Sequence, residues 1–215
     1  MKLISFILLI LSSQVLFSQN SKIHFSIVSP LSAYSNVWND IKYNKCNTAA
    51  HADYMSDNEK NTIYILNLVR TNPALFANTV LKKYPAMSGN DHLLTNAYYY
   101  LSLVNTLKQL EPLGLLYPDK TLFESAQCHA ASSGIAGYAG HKRINRECEK
   151  KKTYNGECCD YGHNDPLEII LSLLIDEGVP SLGHRNIFLN SYAKVGISIQ
   201  PHKKYGSNAV FDFSY

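Results

Sequence analysis

The sequence predicts an α+β fold, and two patterns carry that prediction. From Ser56 to Ile175, apolar residues recur at helical spacing in segments that open on capping residues or on proline starts. From Val195 onward, apolar residues instead alternate in two short runs separated by a turn. Helices that precede and interrupt a few strands argue for layered α+β packing. With 215 residues and 46% hydrophobic content, the chain can bury one substantial core, which fits one domain of roughly 100 to 200 residues.

Met1 to Gln19 reads as a secretory signal, with Lys2 as the charged start, Leu3 to Phe17 as the apolar run and Ser18 as a small residue for cleavage. A secreted, periplasmic or extracellular product is therefore expected. No later stretch is long and apolar enough for a membrane helix, so no stable membrane insertion is expected. Residues 20–55 show no sustained period and read as a loosely packed N-terminal extension, leaving 56–215 as the domain.

Ser56 with Glu59 forms a capping box, and Ile63, Leu66 and Val69 give the first helix its apolar side until Pro73 forbids continuation. Asn72 before Pro73 is an N-cap with proline at the first helical position, and Leu75, Phe76, Val80 and Leu81 face inward along the next helix. Leu93 to Leu110 follows as a third helix that Pro112 ends. Asp119 caps a fourth, whose stripe of Leu122, Ala126, His129 and Ser133 runs to Gly134 as a left-handed stop. Asp165-Pro166 opens a fifth, buried through Leu167, Ile170, Leu171, Leu174 and Ile175 and stopped at Gly178. Val195, Ile197 and Ile199, a turn at Lys203 to Ser207, then Ala209, Phe211 and Phe213 make an antiparallel hairpin.

A formal charge of +3 with scattered Lys and Arg is too small for an electrostatic grip on nucleic acid. The densest basic run, Lys150-Lys151-Lys152 beside Lys142, Arg143 and Arg146, reads as a solvated loop. Five cysteines in an exported chain point to disulfides, with one thiol left over. A bridge from Cys148 to Cys158 or Cys159 is the easiest closure and would clamp the loop presenting Glu157; Cys46 with Cys128 is a second pairing, though spacing alone leaves connectivity open.

Four residues type themselves as one site: His141 after a Gly, Glu157 in Gly156-Glu157, Glu177 closing an apolar run, and His184 in Gly183-His184-Arg185. With Leu66-Asn67-Leu68-Val69-Arg70, Ala126, His129, Asp176-Glu177 and Gly183-His184-Arg185-Asn186-Ile187, the ordered series resembles the CAP superfamily of cysteine-rich secretory, antigen 5 and pathogenesis-related proteins, in a bacterial-type form. The resemblance runs from about Ser56 to Tyr215. It implies a three-layer α-β-α sandwich with a small central antiparallel sheet, and a cleft lined by two His and two Glu that holds a divalent ion in some members. One departure stands out: the family usually follows Gly-Glu with Asn, and this chain has Cys158-Cys159.

Two imidazoles and two carboxylates either hold a divalent metal or pin loops through charge-assisted hydrogen bonds. His141 and His184, with Glu157 and Glu177, fit Zn²⁺; Ca²⁺ and Mg²⁺ want more oxygen. Glu177 is chosen over Asp176 because Ile175-Asp176-Glu177 resembles the family's aromatic-Asp-Glu ending. His129, on an apolar stripe, reads as a core histidine, His163 as a solvated loop residue, and Arg185 equally as an orienter of Glu157 or Glu177 or as a surface residue. Of Tyr98-Tyr99-Tyr100, at least one is expected in the core.

The sequence lacks a His-Glu-x-x-His helix and a Gly-x-Ser-x-Gly elbow, and Cys128 beside His129 on a helix points away from it. The expected function is a non-catalytic, monomeric module that binds an ion and a small apolar or peptide ligand. The alternative is a metal-dependent hydrolase, protease or esterase, in which a Zn²⁺-bound water is deprotonated by Glu157 beside His184.

Overall fold

A computed structural model describes residues 28–89 and 98–215. The signal read at Met1 to Gln19, and the start of the third helix at Leu93, lie outside the described residues. A four-stranded sheet forms the middle layer, with strands β1 Tyr117–Pro118, β2 Gly156–Tyr161, β3 Lys194–His202 and β4 Gly206–Ser214 in the order β1-β3-β4-β2. The two-residue β1 pairs parallel with β3, and the other pairs are antiparallel. The helices are α1 Asp57–Thr71, α2 Pro73–Phe76, α3 Lys82–Ser88, α4 Tyr98–Gln109, α5 Lys120–Ala136, α6 Arg146–Lys150, α7 Pro166–Ile175 and α8 Gly183–Phe188.

One sheet face carries Val195, Ile197, Ala209, Phe211 and Phe213 into the large core with α1, α4 and α7. The other face lies under α5, where Ala126, Ala130, Cys159 and Val210 form a small cluster. This is the α-β-α sandwich. The helix α7 is buried nearly all round, as its run of Leu and Ile requires. The approach of α5 to β3 is close: a Cβ on Gly196 would lie 2.0 Å from the Phe123 nitrogen.

The local start signals hold. Ser56 and Glu59 make the capping box, Asn72 accepts from Leu75 N, Asp119 caps α5, and Asp165 accepts from Leu167 and Glu168 N. The stops move. At Gly134 a Cβ would fall 2.1 Å from the Pro201 oxygen, so that glycine serves helix–sheet packing, and α5 ends at Gly137 with φ 68°. The helix α7 ends not at Gly178 but at Asp176, left-handed at φ 56°, a conformation Asp tolerates better than most residues.

Two further expectations change. The stretch 28–55, read as part of a loose extension, puts Leu31, Trp38, Tyr43, Cys46 and Met55 into the main core through two short 3₁₀ turns. The residues read as a loop presenting Glu157 form β2, because Cys158 and Cys159 bury opposite faces of a strand. The disulfide joins Cys128 to Cys148, and Cys46, Cys158 and Cys159 are unpaired. The cysteines of β2 lie within the sheet, whereas Cys128 on α5 faces the neighbouring α6.

Candidate functional site

Strand β2 pairs with β4 on one side only, and a cleft of about 460 Å³ runs along it against α7. His141 arrives from the segment after α5, and its Nδ1 lies 2.9 Å from Glu157 Oε1. His184 arrives on the first turn of α8, and its Nδ1 lies 2.7 Å from Asp176 Oδ1. The two rings sit 6.0 Å apart, centroid to centroid, tilted by 34°. Each carboxylate can only accept, so each Nδ1 carries hydrogen and each Nε2 keeps its lone pair. Neither Nε2 has a hydrogen-bond partner among the described residues.

The carboxylate paired with His184 is thus Asp176. The left-handed turn that ends α7 directs Asp176 toward α8, where it also accepts from His184 N at 3.0 Å and Arg185 N at 3.4 Å. Glu177 is exposed on the wall of the same cleft. Arg185 orients neither Glu157 nor Glu177 through its guanidinium, which is spent on the carbonyls of Leu174, Ile175 and Tyr99 and on Ser102 Oγ. His163 lines the cleft and pairs with Asp160 at 3.1 Å, and that hydrogen bond raises its pKa.

Glu157 stands directly across from Asp212 in the β2–β4 ladder. Like charges so placed repel, and both are buried. Arg143 lies between them, its side chain wholly buried, with Nη1 against Glu157 and Nη2 3.2 Å from Asp212 Oδ2. The basic run around it was expected to be solvated, and for Arg143 that reading fails because these two carboxylates recruit it. Burial works against ionisation of Glu157, but the His141 hydrogen bond and the Arg143 charge outweigh it and hold the carboxyl below its usual value. Burial, reinforced by the facing Glu157, pushes Asp212 up to about 8, so it keeps its proton at neutral pH.

His129, Glu157 and Cys159 form a buried group whose candidate donor atoms all lie within 4.8 Å of one another. His129 is fully buried on α5, as a core histidine should be, and its Nε2 is 2.9 Å from the Gly140 oxygen. Its Nδ1 has no partner. Burial, with the nearby Arg143 charge, lowers its pKa and keeps the ring neutral. Burial also raises the Cys159 thiol well above its usual value. Sequence reasoning missed Arg143, Asp212 and Cys159. The only available signal was the departure at Cys158-Cys159, and it was assigned to a disulfide.

A family model described as the CAP, cysteine-rich secretory protein family matches residues 101–213, the stretch that holds every one of these side chains. Among solved structures, an outer surface protein from Borrelia burgdorferi is similar at a TM-score of 0.38 and 19% identity, over 47% of this chain and 79% of that one. No curated protein matches the chain.

Proposed function

The chain belongs to the cysteine-rich secretory protein, or CAP, family, and from that premise we propose that it is an exported binding module whose cleft takes a divalent ion between His141 and His184. One observation carries the reading: the imidazoles of His141 and His184 stand 6.0 Å apart, centroid to centroid, each pinned at Nδ1 by its own carboxylate, with both Nε2 atoms unused. A carboxylate behind a histidine fixes its tautomer and ring orientation, as metal-ligating histidines require. Glu157 and Asp176 then support the ion from behind the rings, and Glu177 on the wall is an oxygen donor to the same cleft. The donor set fits Zn²⁺ better than Ca²⁺ or Mg²⁺.

Leu171, Ile175 and Val179 give the cleft an apolar wall, which suits a small apolar or peptide ligand beside the ion. Among the described residues no helix is long and apolar enough to cross a membrane. Binding is favoured over hydrolysis because the residue offered as general base, Glu157, is engaged by His141 and Arg143 and held at a lowered pKa, which weakens it as a proton acceptor.

Zinc at ~100 times its Kd is expected to stabilise the protein by about 2.7 kcal/mol. His184→Ala is expected to reduce that rise in melting temperature, while peptide and ester hydrolysis stay at background with or without chelator. An undiminished rise in His184→Ala, or turnover that chelator removes, overturns this reading.

A further inference from the structure

We infer a second metal site, buried between α5 and β2 at the edge of the cleft, in which His129, Glu157 and Cys159 hold one borderline-soft divalent ion of the Zn²⁺ class. Three observations place it. The candidate donor atoms of these residues lie within 4.8 Å of one another. A four-coordinate ion with bonds of about 2.0 to 2.3 Å spaces its donors roughly 3.3 to 3.8 Å apart, so small side-chain shifts assemble the set. Secondly, His129 Nδ1 is wholly buried and has no hydrogen-bond partner, an arrangement that costs free energy in a packed interior unless something fills it.

Thirdly, the surroundings prepare the donors for an ion. The Gly140 carbonyl takes the Nε2 hydrogen of His129, which leaves the Nδ1 lone pair as the ring's remaining donor. The Arg143 guanidinium lies against Glu157, a charge partner for an ionised carboxylate ligand in this interior. Binding forms an Sγ–metal bond at Cys159, and the thiol proton leaves to solvent. Imidazole, thiolate and carboxylate together select zinc-like ions over Ca²⁺ or Mg²⁺, and three protein donors leave a fourth position open. Entry is from the His141 side, where a half-exposed ring stands with Nδ1 3.7 Å from Cys159 Sγ. The ligands come from α5 and β2, not from α8, so the site goes beyond the cleft reading and shares only Glu157 with its supports.

Cobalt(II) titration of the purified full chain tests this. The expected result is a thiolate-to-cobalt charge-transfer absorption at one equivalent. Cys159→Ser is expected to abolish the band, and His129→Gln, whose amide can still donate to Gly140, to weaken cobalt binding by ~100-fold or more. Outer-shell partners already contribute about 10- to 100-fold, and a ligand should contribute no less. His184→Ala, which removes the cleft site, should leave the band in place. The inference is overturned by the absence of a thiolate band in the wild type, by its persistence in Cys159→Ser, or by its loss in His184→Ala. The first two outcomes leave the cleft reading standing, and the third assigns the ion to the cleft alone.

Discussion

Arg70 and Arg185 are as thoroughly buried as Arg143, yet the three sit in opposite kinds of surroundings. Arg70 donates to the carbonyls of Gly114, Phe188, Asn190 and Tyr192, and Arg185 to those of Leu174, Ile175 and Tyr99 and to Ser102 Oγ. Every nitrogen of both guanidiniums is used. Around Arg143, by contrast, Nη1 lies against Glu157 Oε2 in an ion pair, while Arg143 Nε lacks a hydrogen-bond acceptor and His129 Nδ1 lacks a partner. Complete satisfaction identifies polar groups whose work is to fasten chain segments together. Incomplete satisfaction, gathered in one place beside a cleft, identifies where the protein has left room for something else.

If that contrast is right, removing a fully satisfied cation is the most damaging change. Arg185→Met strands three carbonyls and a hydroxyl in the interior and is expected to cost about 3 kcal/mol or more, read from chemical denaturation. A cost below about 1 kcal/mol would erase the distinction.

The incompletely satisfied region makes a prediction in pH. Asp212 is pushed up to about 8 in the folded chain, above the ordinary value of 3.8 that an unfolded chain restores. Between those values the folded state holds a proton that the unfolded state has released, so stability falls as pH rises through that window. Asp212→Asn keeps the neutral shape and is expected to flatten that decline, by on the order of 2 kcal/mol between pH 5 and pH 8. Melting curves across that range, in chelator, decide it, and equal slopes in the two proteins would count against a protonated Asp212.

The smallest effect belongs to the pair on the rim. His163 is bonded to Asp160, which raises its pKa, so the stabilisation is complete below the unfolded value of 6.5 and is lost as pH rises through the folded one. With the His163 side chain 40% exposed, solvent screening keeps this below about 1 kcal/mol. His163→Gln is expected to destabilise slightly at pH 5 and not at pH 9, and a cost that persists at pH 9 would assign the residue a packing role.

Much of the fold was legible because its signals are local. A cap three residues from its glutamate, or an Asp-Pro step, announces a helix start from nearby atoms alone, and all four starts within the described residues appear where their caps stand. Helix stops were less legible: Gly134 is dictated by the Pro201 carbonyl and Asp176 by α8, contacts that no short window contains. Strand β2 hid because both of its faces are buried, which hides the alternation of a half-exposed strand. Within the site, His141, Glu157 and His184 announced themselves by type and order. Arg143 did not, since its partner Asp212 is 69 residues away and the lysines around it suggested solvent. Disulfide connectivity was equally silent, being a matter of which helices become neighbours.

The Cys128–Cys148 bond closes a stretch of chain 20 residues long that carries both His141 and Arg143. Tethering such a stretch at its two ends limits how far either side chain can wander when the rest of the protein breathes. Inside a cell, where thiols are kept reduced, that tether would be absent and the ring and the guanidinium would sample many positions. Formation of the bond is therefore expected to precede a settled site, so the redox state of the surroundings acts as the final assembly step.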